Sequence, residues 1–229
     1  MRWRWMVVAG IVLLAGQVVA EETQTLKTEK EKLSYSIGME IGSNLKRQAI
    51  DVEVDLLLKG LRDGFSGGKT LLSPEEVRKV LTTFQKEMMA KQKEEARVLG
   101  EKNKKEGEAF LAENKKKPGV VTLPSGLQYK VIKAGTGKKP KATDTVKTHY
   151  RGTLLDGTEF DSSYRRGEPA TFPVKGVIPG WTEALQLMEE GAKWQLFIPP
   201  HLAYGERGAG PVIGPNATLI FEVELISVQ

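Results

Sequence analysis

Residues 149–163 place two aromatic side chains and a carboxylate close together, in two extended segments around a turn at Asp156-Gly157. Tyr150 lies before the turn, and Phe160 and Asp161 lie after it. Two later motifs, 177–181 and 203–208, add aromatic residues, as does Phe221 just after a third motif at 213–219, and none of these aromatic additions brings a reactive nucleophile. This combination predicts an apolar pocket that acts on a ligand through shape and removal from water.

The residue types that other kinds of chemistry need are absent or badly placed. The chain has no cysteine, which excludes disulfides, thiolate metal sites and cysteine catalysis. Neither His149 nor His201 stands at a metal-ligand spacing, and we interpret both as surface or packing residues. No glycine-rich phosphate loop and no nucleophile elbow occurs. We therefore expect no cofactor and no metal.

Spacing alone does not distinguish a pocket from a core. The candidate residues are spread over 72 residues, and ordinary core aromatics of a small domain would show the same spacing. The candidates are Tyr150, Phe160, Asp161, Val177, Ile178, Trp181, Tyr204 and Phe221.

Residues 1–20 predict a secretory signal peptide ahead of the folded protein. A pair of arginines precedes the apolar run 6–14, and Val18-Val19-Ala20 offers a cleavage site. The run is short for a membrane span, which needs about 20 residues. The alternative is an uncleaved N-terminal anchor.

Residues 21–72 predict a helical region with two apolar stripes, which begin at Leu33 and Val54. About 50 residues are marginal for a core built from one copy. We therefore expect a homodimer through residues 33–88. The alternative is that these helices fold back onto the C-terminal domain.

Residues 73–113 predict a long connecting helix. Ser73 and Glu76 form a capping box around Pro74. The second half is rich in Lys and Glu, and we expect it to be too polar for burial. Gly100 and Gly107 weaken the helix there.

The periodicity changes to two after the stop at 114–119, and one apolar helical face interrupts the strands. The strand candidate 217–228 alternates, and its predicted inner face is Leu219, Phe221, Val223 and Leu225. Trp181, Ala184, Leu185 and Met188 share that face, with Gly191 as the residue just past the helix end. We predict an α+β chain: a helical dimerisation region, a long connecting helix, and over 119–229 an antiparallel sheet wrapped around one short helix. The net charge of +5 is of mixed sign along the chain, which predicts no nucleic-acid partner.

The motifs at 149–163, 177–181, 203–208 and 213–219 resemble those of the FKBP-type peptidyl-prolyl cis-trans isomerases. The helical N-terminal part is similar to that of the dimeric, exported Mip-like (macrophage infectivity potentiator) members. The resemblance implies an exported protein, in the periplasm or at the outer membrane of a Gram-negative bacterium. It implies proline-containing unfolded or exported polypeptides as substrates and macrolides such as FK506 or rapamycin as inhibitors.

The resemblance also assigns the candidate residues. Trp181 would floor the pocket, and Asp161 and Tyr204 would lie at its rim. Substrate carbonyls would be held by the Ile178 N–H and the Tyr204 hydroxyl. The walls would be Tyr150, Phe160, Val177, Ile178 and Phe221. The family pattern also suggests an Arg166–Asp161 pair.

Such a pocket explains catalysis without a nucleophile. Amide resonance opposes rotation with a barrier of about 18–20 kcal/mol. The twisted amide carries less charge on its oxygen, so desolvation raises the ground state more than the transition state. Ala170 and Ala209 stand where many family members carry an aromatic and a histidine, and both open the rim. A second hypothesis is a chaperone or binding module in which catalysis is incidental.

Overall fold

The computed structural model describes residues 25–229, so the predicted signal peptide 1–20 lies outside the described residues. The chain divides into two compact units, Met1–Ser73 and Pro74–Gln229. Over the described range, no helix combines the length and apolar character needed to cross a membrane.

The first unit contains two helices with clear local signals. Helix α1 (Glu29–Arg47) begins at a capping box, in which Glu31 N–H donates to Thr28 Oγ1 at 3.1 Å. Helix α2 (Val54–Ser66) ends at Gly67, whose φ of +65° is the left-handed conformation that glycine tolerates. Neither helix buries a residue within the single chain. Both predicted apolar stripes are therefore exposed.

The second unit opens with α3 (Pro74–Asn114), a helix of 41 residues that begins at the predicted proline. The expectation that its second half is too polar for burial is wrong for one face. Gly100 and Gly107 are buried against the segment 215–218 that leads into the last strand, and the buried Asn114 bonds to the Gln128 side chain. Phe110 packs on Phe197 with ring centroids 5.8 Å apart. This face uses small and amide residues, so it shows no apolar periodicity.

The second unit forms one antiparallel sheet, as predicted. Its seven strands are β1 (Val120–Thr122), β2 (Gln128–Lys133), β3 (Thr145–Thr153), β4 (Glu159–Ser162), β5 (Ala170–Pro173), β6 (Lys193–Ile198) and β7 (Leu219–Val228). Their order in the sheet is β1-β2-β6-β7-β3-β4, and β5 pairs with β3. The short edge strand β1 was not anticipated. The predicted inner face of β7 is buried in the core: Leu219, Phe221, Val223 and Leu225.

The sheet packs on α5 (Pro179–Leu185), and a second short helix, α4 (Ser163–Arg166), follows β4. The predicted position of Gly191 is wrong, because α5 ends at Leu185. A turn follows, in which the N–H groups of Leu187 and Met188 share Ala184 O as acceptor, each at 3.0 Å. Met188 still reaches the core, where it is fully buried.

Candidate active site

One cavity of about 640 Å³ lies between α5, the sheet and the loops that precede α5 and β7. All eight candidate residues line it, so the structure brings together side chains that are far apart in sequence. The lining residues are Tyr150, Phe160, Asp161, Phe172, Gly176, Val177, Ile178, Trp181, Tyr204, Ala209, Gly210, Pro211, Val212, Ile213 and Phe221. Most are apolar, and none is a serine, cysteine, threonine, lysine or histidine.

Trp181, which is 3% exposed, lies at the start of α5 and packs edge-on against three rings. Its ring centroid is 5.2 Å from those of Tyr150 and Phe221, at interplanar angles of 87° and 81°. Gly180 allows this placement, because a β-carbon there would lie 2.6 Å from Ile198 Cγ2. The glycine lets α5 approach β6 closely and lowers the indole into the cavity floor.

Phe160 and Phe221 form a T-shaped pair, with centroids 5.4 Å apart at 82°. Gly152 on β3 makes room for both, since a β-carbon there would lie 2.6 Å from the Phe160 ring and 2.7 Å from Phe221. The register of β3 places Gly152 opposite Phe221 on one side and Asp161 on the other. One glycine therefore permits the aromatic wall.

Three polar groups close a hydrogen-bonded triangle at the cavity edge. Tyr150 OH donates to Asp161 Oδ2 at 2.6 Å. Arg166 donates from Nη1 to Asp161 Oδ1 at 2.5 Å and from Nη2 to Tyr150 OH at 2.7 Å. Helix α4 positions the arginine, because Ser162 Oγ caps it by accepting from Arg165 N–H at 3.3 Å. The structure thus contains the Arg166–Asp161 pair.

This triangle holds Asp161 ionised. Burial alone would raise the pKa of the Asp161 carboxyl, but hydrogen bonds from Tyr150 and Arg166 and the guanidinium charge outweigh it, so the pKa is lowered. The pKa of Tyr150 is raised, first by burial and then by its bond to the carboxylate. Asp161 is therefore a fixed negative charge at the rim at neutral pH.

Both donors that the resemblance assigns to substrate carbonyls are free for a ligand at the cavity. Within the described residues, the Ile178 N–H and the Tyr204 hydroxyl have no hydrogen-bond partner. Tyr204 is 40% exposed, and Ile178 is the residue that immediately precedes the first turn of α5. A carbonyl-bearing ligand in the cavity could accept from both groups.

Sequence reasoning missed part of the lining. Phe172, on β5, lies 5.9 Å from the Tyr150 ring and 6.0 Å from Trp181. The alternation of Ala170 and Phe172 along one strand face was the signal that could have identified it. Val212 and Ile213 come from a loop without regular periodicity, and no local pattern marks them.

The two histidines lie outside the cavity. His149 stacks on Tyr164 at 4.6 Å, and its Nδ1 is 3.0 Å from Ser163 Oγ. His201 Nε2 is 2.9 Å from Ser125 O. Among residues 25–229, no group of three or more histidine, aspartate or glutamate side chains could hold a metal ion.

Comparison with known proteins now identifies the family. Residues 136–226 match the family model described as FKBP-type peptidyl-prolyl cis-trans isomerase, and residues 30–131 match the domain amino terminal to it. The chain is 55% identical over 212 residues to the outer membrane protein MIP of Legionella longbeachae, covering 93% of this chain and 91% of that protein. It is 47% identical over 217 residues to the peptidyl-prolyl cis-trans isomerase Mip of Coxiella burnetii, covering 95% and 94%.

A solved structure shares both sequence and fold. The crystal structure of FkpA from Escherichia coli is 40% identical, with a TM-score of 0.67 over 90% of this chain and 99% of that one. The matches run through both the helical region and the sheet, and with the aromatic cavity they place this chain in the family of FKBP-type peptidyl-prolyl cis-trans isomerases.

Proposed function

We propose that the aromatic cavity is the isomerase site, and that it catalyses rotation about X-Pro bonds in exported polypeptides by desolvation without a covalent step. The observation that carries this proposal is the apolar lining with two free donors and no nucleophile. The family acts on proline-containing polypeptides. In solution, X-Pro exchange takes tens to hundreds of seconds, slow enough to limit folding.

Each group has a distinct part in this mechanism. The proline ring sits on Trp181 between the aromatic walls. The Ile178 N–H and the Tyr204 hydroxyl donate to substrate carbonyls and fix the peptide on either side of the rotating bond. Removal from water destabilises the planar amide, whose oxygen carries the larger charge, more than the twisted one. Asp161, held by Tyr150 and Arg166, orients the peptide with its fixed charge.

The test is the rate of cis-to-trans exchange in a short X-Pro peptide, with and without rapamycin. We expect acceleration that rapamycin removes. Asp161→Ala should lower the rate. Asp156→Ala is a matched control, because Asp156 lies exposed in the turn of the same hairpin, does not line the cavity, and accepts from the nearby Thr158 N–H at 2.9 Å. No acceleration by the unmodified protein would refute the proposal. Equal rates for the two variants would show that the Asp161 side chain does not contribute to catalysis.

Macrolide inhibition is part of the same proposal. Ala170 and Ala209 leave the rim more open than a ring at either position would. We therefore expect rapamycin and FK506 to bind in the cavity, with Ala170 and Ala209 altering substrate preference and the strength of macrolide binding. Displacement of rapamycin by a proline peptide would support one shared site.

We also propose a homodimer through residues 33–88. Leu33 and Leu61, at 62% and 60% exposure, represent a long series of exposed apolar residues on α1 and α2. The first half of α3 separately exposes Val80 and Leu81. Contiguous apolar surface of this extent marks a protein interface. Light scattering on the full chain should give twice the chain mass, and a monomer would refute the proposal.

A chaperone activity is the second candidate function. Exposed apolar residues of α3 outside the proposed interface favour it, because Met89 and Val98, at 69% and 53% exposure, offer surface to unfolded chains outside the cavity. Aggregation of an unfolding client protein should be suppressed by the unmodified protein. If Asp161→Ala abolishes isomerisation and leaves this suppression intact, the two activities reside in different places. If both are lost together, suppression depends on the cavity.

Export to the periplasm or the outer membrane completes the proposal. It is supported by the signal-peptide pattern of residues 1–20 and by a relative named as an outer membrane protein. In a Gram-negative host, we expect the fractionated protein to begin at Glu21. Recovery of the unprocessed chain from the cytoplasm would contradict export.

A further inference from the structure

The cavity depends on one irregular segment, residues 205–216, which we call the rim loop. Its residues 209–213 all line the cavity. Its hydrogen bonds are mostly internal: Ala209 N–H donates to Ile213 O at 2.8 Å, Ile213 N–H returns to Ala209 O at 3.2 Å, and Asn216 N–H donates to Gly205 O at 2.8 Å. These bonds shape the loop but do not anchor it to the rest of the protein.

The C-terminal end of the rim loop rests on helix α3. Asn103 Nδ2 donates to the carbonyl oxygen of Pro215 at 2.8 Å. A β-carbon on Gly214 would lie 3.0 Å from Leu99 Cδ2, and one on Gly100 would lie 3.1 Å from Pro215 Cβ. The loop backbone therefore lies directly on the helix. Two side-chain hydrogen bonds cross this contact: the short one from Asn103 and a longer one, at 3.5 Å, from Asn216 Nδ2 to the carbonyl oxygen of Gly100.

The identity of residue 103 is unusual for its surroundings. Asparagine favours the helix less than lysine, glutamate or alanine, which fill most neighbouring positions. Asn103 is half-buried and lies between Gly100 and Gly107, on the face of α3 that carries the buried residues of this helix. The bond to a backbone carbonyl 112 residues away is a structural reason for an amide at this position.

We propose that Asn103 is a positioning residue of the isomerase: through Pro215, α3 holds the rim loop in the conformation that lines the cavity. This inference rests on the proposed function of the cavity. Asn103 does not line the cavity, so its effect on catalysis passes through the loop. A loosened loop weakens binding of substrate and transition state alike, which raises KM and changes kcat little.

The test compares four variants of the full chain. Asn103→Ala should lower kcat/KM by about 3- to 10-fold, which is the loss expected for one ordinary hydrogen bond. Most of this loss should come from a higher KM. Asn103→Asp removes the donor and should be at least as impaired. Asn103→Gln keeps an amide and should restore part of the loss. Lys105→Ala, at an exposed position two residues away, should match the unmodified protein.

Amide hydrogen exchange separates positioning from general stability. In Asn103→Ala, the Ile213 amide should exchange faster while the amides of β7 are unchanged. Equal kcat/KM and equal Ile213 exchange in Asn103→Ala and Lys105→Ala would overturn the inference, as would faster exchange throughout β7. If the unmodified protein is inactive, the proposed function fails, and the exchange comparison still decides whether Asn103 holds the loop.

Discussion

Gly107→Ala should destabilise the protein, although alanine normally stabilises a helix interior. The usual gain over glycine is about 1 kcal/mol. Here the new β-carbon would overlap with Thr218 Oγ1 and lie 3.2 Å from Thr218 Cβ. Thr218 is 2% exposed, so the side chain has little room to move. Overpacking of this kind costs about 1–3 kcal/mol.

The two effects leave a net loss of up to about 2 kcal/mol. In a unit of the size of Pro74–Gln229, each 1 kcal/mol lowers Tm by about 2–4 °C. The assay is urea unfolding followed by the fluorescence of Trp181 and Trp194, which both lie in this unit and become exposed when it unfolds.

A double variant tests the cause of the loss. Thr218→Ala removes the methyl and a buried hydroxyl for which residues 25–229 provide no hydrogen-bond partner, so alone it should be nearly neutral. Combined with Gly107→Ala, it should recover stability to the unmodified level or above. A Gly107→Ala protein that is more stable than the unmodified one, or a double variant that shows no recovery, would refute the close approach of α3 to the sheet.

Three further predictions concern the cavity and the interface. Phe160→Ala should lower kcat/KM roughly 30-fold, since a side chain that contacts the proline ring contributes about 2 kcal/mol of binding. An unchanged Tm would show that the loss is local to the cavity, and an unchanged kcat/KM would contradict the assignment of Phe160 to the cavity wall. Arg166→Leu should raise the pKa of Asp161, because it removes the guanidinium charge and hydrogen bond that lower this pKa against the effect of burial. The acid limb of the profile of kcat/KM against pH should therefore move to higher pH. The sign for stability agrees: the ionised Asp161 stabilises the fold above its unfolded pKa of about 3.9, and this contribution disappears as pH falls through the lower folded value. Arg165→Leu, which breaks only a pair with Glu159, is the control, and matching profiles for the two variants would contradict the prediction. Ile37→Lys should convert the proposed dimer to a monomer in light scattering with kcat/KM on a short peptide retained, and a persisting dimer would place the interface elsewhere.

The sequence predicted those features that neighbouring residues encode. Alternation along β7 identified its buried face, because successive side chains of a strand point to opposite sides. The apolar stripe that begins at Leu33 on α1 has an equally local cause, because its apolar residues recur at every fourth position. The resemblance of four motifs identified the fold and eight of the lining residues. Apart from that resemblance, each of these predictions depends on residues a few positions apart in the sequence.

Tertiary structure alone decided what depends on a distant partner. The buried face of α3 carries Gly100, Asn103 and Gly107 in place of an apolar stripe, since its packing relies on close backbone approach and amide hydrogen bonds. Whether a glycine weakens a helix or lets it dock depends on what lies opposite, and here that is Thr218, more than a hundred residues away. The same holds for Ile213, which lines the cavity and lies in a loop that contacts α3. Local propensity carries no information on such contacts, because the atoms that determine them meet only after the chain has folded.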